Sequence, residues 1–83
     1  MSKQEKLLLR VASLPSDLRW SEVVALMKAM GYLLEKGSGS RRKFRNPQNG
    51  QRLTMHEPHP SGILKAYQVR DLVEFLVKEK HIR

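Results

Sequence analysis

The sequence predicts an α+β fold, a two-layer sandwich in which helices cover one face of a three-stranded antiparallel sheet and leave the other face open. Three observations predict it. An apolar stripe at helical spacing lies near the start of the chain and another near its end. Between them the apolar spacing switches to period two, with turn-forming residues at the switches. The 83 residues, 40% hydrophobic and 29% charged, are one domain's worth of globular chain. Strands bracketed by helices bury one sheet face beneath them, because each apolar stripe needs an apolar partner.

The elements follow in order. Ser2 to Leu14 reads as a short helix, with Leu7, Val11 and Leu14 on one face, Leu8 beside them and Pro15 as the stop. Residues 1–15 are therefore expected to form an N-terminal helical extension on a domain spanning 16–83. Leu7, Leu8, Leu9 and Val11 are more apolar surface than a short helix needs, so the extension should pack on the domain or on a partner. A stronger helix runs from Trp20 to Met30, where Trp20, Val23, Val24, Met27 and Met30 form one stripe and Gly31 takes the left-handed C-terminal position.

Tyr32 to Glu35 is a short apolar run suited to a strand, and Gly37-Ser38-Gly39-Ser40 is a turn. Ser40 to Arg45 alternates, Phe44 pointing inward and Arg41, Lys43 and Arg45 outward. Asn46-Pro47-Gln48-Asn49-Gly50 closes a hairpin. Gln51 to His56 alternates again, with Leu53 and Met55 on one side and Arg52, Thr54 and His56 on the other. Pro58 and Pro60 hold the next loop extended. The last helix, Ala66 to Lys80, stripes Val69, Leu72, Val73 and Leu76. Trp20 and Phe44 belong to the core.

Charge narrows the function. Sixteen Lys and Arg against eight Asp and Glu leave +8 at neutral pH. Residues 36–56 hold six of those cations (Lys36, Arg41, Arg42, Lys43, Arg45, Arg52) and no acid. Such a block on a folded domain is the footprint of a polyanion binder. Solubility alone is better served by mixed signs. A membrane-surface role fits less well, because it usually takes a basic amphipathic helix and this block reads as strand and turn. No segment approaches the ~18 apolar residues of a membrane helix, and the first residues lack a signal peptide's apolar run; a cytoplasmic protein is expected. The absence of cysteine excludes disulfides and thiol chemistry.

The open face would carry Arg41, Lys43, Arg45, Arg52, Thr54 and His56, well placed to meet phosphates. Few aromatics are available, so backbone and shape recognition of RNA suits this surface better than base stacking. Metal-free RNA cleavage needs a base for the 2′-hydroxyl, an acid for the leaving 5′-oxygen and a cation for the charged phosphorane. His56 and His59, beside arginines, can supply these roles; surface histidines bonding within their own loop are the plainer reading. His56-Glu57-Pro58-His59 is a poor metal site, since the prolines preclude a helix and no third ligand stands nearby. The Gly37–Ser40 turn opens no helix, so it is no P-loop, and no partnered Asp and His recommend Ser38 or Ser40 as a nucleophile. No cofactor is expected.

Gly31-Tyr32 at a helix end, Gly39-Ser40-Arg41-Arg42-Lys43-Phe44, then Leu53-Thr54-Met55-His56-Glu57-Pro58-His59-Pro60 and Ile63-Leu64-Lys65 before a final helix resemble the HicA family of small toxins from bacterial toxin–antitoxin pairs. The resemblance covers about residues 16 to 80. It implies a fold similar to the double-stranded-RNA-binding domain, an endoribonuclease that cleaves mRNA without a metal, and a HicB-like antitoxin partner over the site. His59 matches the family's His-Pro position. Ser40, Arg41, Arg42, Lys43, Arg45 and Arg52 are the expected RNA contacts, and His59 and His56 the catalytic candidates. One departure stands out: the family's usual catalytic histidine follows Gly-Ser, and here that position is Arg41. Arginine binds phosphate but stays protonated and cannot act as a base. Either the base lies elsewhere or this branch works mainly by binding. A non-catalytic RNA- or DNA-binding module on the same fold is the alternative, and an interaction protein meeting an acidic partner is a third.

Overall fold

The structure, a computed structural model, describes residues 2–82, so Met1 and Arg83, the outermost residues of the expected extension and domain, lie outside it. Its elements are α1 (Lys3–Ala12), α2 (Trp20–Ala29), β1 (Leu33–Lys36), β2 (Arg41–Arg45), β3 (Arg52–His56) and α3 (Ala66–Lys78). The strands form an antiparallel sheet in the order β1-β2-β3. This is the αβββα sandwich expected, with a helix in front.

Pleating sorts the side chains. Phe44 and Met55 point toward the helices and are buried, with Leu34 and Leu53 partly covered beside them. Helix α2 contributes Trp20, Val23, Leu26 and Met27 to the same core, and α3 contributes Val69, Leu72 and Leu76. The Trp20 and Phe44 ring centroids lie 5.5 Å apart, tilted by 42°, a favourable aromatic geometry. Gly31 adopts φ +92°, ending α2 in the left-handed conformation its position demanded.

The helix starts are secured by different means. Ser2 Oγ accepts a 3.1 Å bond from the Glu5 amide at α1. At α2 the Glu22 carboxylate accepts from the Arg19 amide at 3.1 Å, half of a capping box. At α3 the Lys65 amide donates to Gln68 Oε1 at 3.0 Å. The approaches to α2 and α3 are tied by two bonds of 2.8 Å, Trp20 N–H to the Gly62 carbonyl and Leu64 N–H to the Leu18 carbonyl.

The N-terminal helix packs on this domain. Val11 is fully buried, and the Arg10 guanidinium clasps Glu22 on α2 and Asp17 in the connecting loop. Leu14 departs from the expected apolar face. The helix stops at Ala12, Leu14 takes φ +55°, and its side chain is exposed. Pro15 disfavours the right-handed helical conformation for the residue before it, so α1 does not run on through Leu14 and the chain turns back toward α2.

The far end of the domain is closed by Tyr32. Its buried hydroxyl lies 2.7 Å from Gln51 Oε1 and 2.9 Å from His81 Nε2, joining the hairpin to the chain after α3. Gln51 Oε1 can only accept, so the tyrosine proton goes there and His81 Nε2–H donates to the phenol.

Candidate nucleic-acid interface

The side of the sheet away from the helices carries what the alternation placed there: Glu35 from β1, Arg41, Lys43 and Arg45 from β2, and Arg52, Thr54 and His56 from β3. Arg41, Arg52, Thr54 and His56 are exposed, and Lys43 and Arg45 are partly covered. The register sets Arg41 opposite His56, Lys43 opposite Thr54 and Arg45 opposite Arg52. Directly opposite residues have Cβ atoms roughly 4.5–5.5 Å apart, so the cations and the imidazole share one surface. A shallow hollow of about 420 Å³ at the β1–β2 end is lined by Lys36, Gly37, Ser38, Arg41, Lys43 and Thr54, with Glu35 at its wall.

No acid interrupts residues 36–56 along the chain, yet Glu35 lies opposite Lys43 in the sheet and pairs with two of its cations. Its carboxylate is 3.2 Å from Arg45 Nε and 3.6 Å from Lys43 Nζ. The Arg45 hydrogen bond first, and then the charges of Arg45 and Lys43, hold Glu35 below the usual carboxylate range. Arg41, Arg52 and Lys36 have no carboxylate within ion-pair distance among the described residues.

Arg42 lies on the other side. Being next to Phe44 in period two, it points toward the helices, its side chain only 12% exposed, and pairs with Glu57 at 3.2 Å. It also donates to the carbonyls of Gly39 and Arg41 at 2.9 and 2.8 Å. As an expected RNA contact Arg42 is therefore displaced from the open face; it braces the β1–β2 turn.

Ser40 and His56 come together at the end of the sheet. Ser40 Oγ is 3.1 Å from His56 Nδ1, and the Glu57 amide donates to the Ser40 carbonyl at 2.8 Å. This bond orients the ring and leaves Nε2 for solvent or a ligand. Behind it, Gln68 Nε2 donates to the His56 carbonyl at 2.9 Å while Gln68 Oε1 caps α3. His59 lies exposed in the loop beyond, and no hydrogen bond joins it to His56 among the described residues.

The sequence reading missed three residues that shape this site: Glu35, Glu57 and Gln68. Glu35 carried a signal, since counting in twos across the β1–β2 turn places it opposite Lys43. Gln68 carried one too, as a glutamine at the third position of a helix is half of a capping box. Glu57 gave none, because its pairing depends on how the chain leaves β3.

Among the described residues no helix is long and apolar enough to cross a membrane, and no group of three or more His, Asp and Glu side chains could hold a metal ion. No curated protein and no solved structure matches the chain. A family model described as the HicA toxin of bacterial toxin–antitoxin systems matches residues 20–78. That match runs from the first residue of α2 to the last of α3, across the whole basic sheet, and the chain belongs to the HicA toxin family.

Proposed function

We propose that this toxin acts on RNA: it binds mRNA through the open face of its sheet, cleaves it as a metal-independent endoribonuclease in the cytoplasm, and is neutralised by a HicB-like antitoxin that covers the same face. Family membership supports the toxin role and a partner of the antitoxin kind. The observation that carries the catalytic reading is the pairing of Arg41 with His56 across β2 and β3. Arg41 stands after Gly39-Ser40, where a histidine is the family's usual base. Its cross-strand neighbour is an imidazole, so a titratable group returns to that surface from the adjacent strand.

The chemistry is a transesterification. His56 takes the 2′-hydroxyl proton as the 2′-oxygen attacks the adjacent phosphorus, and the 5′-oxygen leaves with a proton from an acid. For Nε2 to be the base, Nδ1–H donates to Ser40 Oγ, which fixes the tautomer. Arg41 supplies a permanent cation for the phosphorane's developing charge. His59, exposed in the loop that follows β3, is the acid for the leaving group. Arg52 holds a flanking phosphate, while Lys43 and Arg45 are held back from phosphate by their pairing with Glu35.

Incubation of the purified protein with mRNA, with and without EDTA, tests this. Cleavage unaffected by EDTA, leaving 2′,3′-cyclic phosphate ends, is the expected result. His56→Ala is expected to abolish cleavage while RNA binding survives, and His59→Ala to do the same through loss of the acid. Cutting unimpaired in both variants would remove the histidines from the mechanism. Binding without cutting by the wild type would favour the second reading, a toxin that acts by occupying RNA, which the arginine at position 41 itself favours.

A further inference from the structure

A second recess adjoins the basic face and is unlike it. Where β3 meets the start of α3, a depression of about 160 Å³ is lined by Thr54, Met55, His56, Tyr67, Gln68 and Asp71. Its volume equals about five water molecules at ~30 Å³ each, the scale of a single nucleobase. Tyr67, on the first turn of α3, is 52% exposed although it is one of only five aromatic residues in the chain. Asp71 follows it by one helical turn, so phenol and carboxylate stand over the same spot. Gln68, between them, is buried and held by its bonds to the His56 carbonyl and the Lys65 amide, which makes that wall rigid.

We propose that this recess is a nucleobase pocket selective for guanine, receiving the base beside the phosphate that His56 addresses. The proposal rests on the RNA-binding reading above and adds a base preference to it. Single-stranded RNA is read by stacking splayed bases on aromatic rings and bonding their Watson–Crick edges. Tyr67 supplies the ring. Asp71 supplies an acceptor-only edge, which matches guanine because N1–H and the 2-amino group offer two adjacent donors. Adenine and cytosine present one amino group beside an acceptor nitrogen, and uracil one N–H between two carbonyls, so each sets a lone pair against the carboxylate. Sites built on such hydrogen bonds discriminate strongly against ligands that leave them unpaired. The charges also sort themselves: a carboxylate repels phosphate, so the backbone runs over Arg41 and Arg52 while the base turns toward Asp71.

The test uses fluorescein-labelled 2′-O-methyl RNA hexamers, uncleavable through the 2′-oxygen, identical except for a central G, A, C or U, with affinities from anisotropy. The wild type is expected to favour G by about tenfold. Asp71→Asn is expected to erase that preference and leave the U hexamer within twofold. Tyr67→Ala should weaken the G hexamer about fivefold or more, the low end of base–aromatic stacking, and Tyr67→Phe should restore it. Equal affinity for all four hexamers, or a G preference surviving Asp71→Asn, overturns the pocket. Weakened binding by Arg41→Ala in the same series would show that the phosphate interface stands without it. If no hexamer binds and Arg41→Ala changes nothing, the RNA reading itself falls. Loss of antitoxin binding by Tyr67→Ala with RNA affinity unchanged would reassign the recess to the protein partner and also overturn the proposal.

Discussion

Glu35→Gln isolates the acid that, among the described residues, the fold sets among the open-face cations. In the wild type, one carboxylate engages both Arg45 and Lys43. Replacing it with a neutral isostere leaves both cations available to phosphate. Each additional contact with single-stranded RNA adds about 0.7 to the log–log dependence of affinity on salt. Two freed cations therefore steepen the slope by up to about 1.4. The advantage of the variant over the wild type should then grow about sevenfold as salt falls from 200 to 50 mM. Stability should hardly change, since exposed ion pairs contribute little, and Glu35 and Lys43 are each 41% exposed. The assay is anisotropy of a 2′-O-methyl RNA across a KCl series, with a melting curve as control. An unchanged slope would mean that Lys43 and Arg45 gain no phosphate contact when Glu35 is neutralised. Weaker binding with an unchanged melting temperature would mean that Glu35 orients those cations rather than competing for them. Either result refutes the reasoning.

Three further predictions concern the scaffold. Phe44 is fully buried between the sheet and Trp20, so Phe44→Ala is expected to cost about 3–5 kcal/mol. A chain of this length has roughly 4–12 kcal/mol in all, so urea denaturation should find a large fraction of the unfolding free energy gone. The Glu22 carboxyl is held below its ordinary value of 4.5, chiefly by the Arg10 hydrogen bond. Its native form binds a proton less readily than the unfolded chain, so this stabilisation is complete above about pH 4.5 and is lost as pH falls further. Arg10→Met should lower the melting temperature at pH 7 and differ less from the wild type near pH 3. Gln68→Met removes the α3 cap and the bond to the His56 carbonyl, a loss of about 1–3 kcal/mol for the two bonds that should lower the melting temperature by roughly 4–8 °C for each kcal/mol. Its rate of RNA cleavage should fall more than its RNA affinity, because the His56 backbone loses its anchor while Arg41 and Arg52 remain.

Much of the fold was legible because its signals are local. The stripe from Trp20 to Met27, the alternation around Phe44, the Asn46–Gly50 turn and Gly31 each specify conformation within a few residues, and each element formed within two residues of its expected ends. Leu14 failed that reading since Pro15 acts on the residue before it, and no count of apolar spacing contains that constraint. The faces of the strands were equally legible: once Phe44 is assigned to the core, period two sends Arg41, Lys43 and Arg45 outward. It also sends Arg42 inward, a consequence the block of four basic residues concealed.

Composition, periodicity and motif order determined on their own the αβββα plan, the family and the side of the sheet that is basic, because those properties follow from side-chain type and spacing along the chain. Only the tertiary structure decided which charges remain available. Glu35 and Glu57 meet Lys43, Arg45 and Arg42 through strand register and the exit of β3, and His56 faces Arg41 through the β2–β3 pairing. Coulombic and hydrogen-bonding forces act over a few ångströms of space, and distance along the chain does not report that separation.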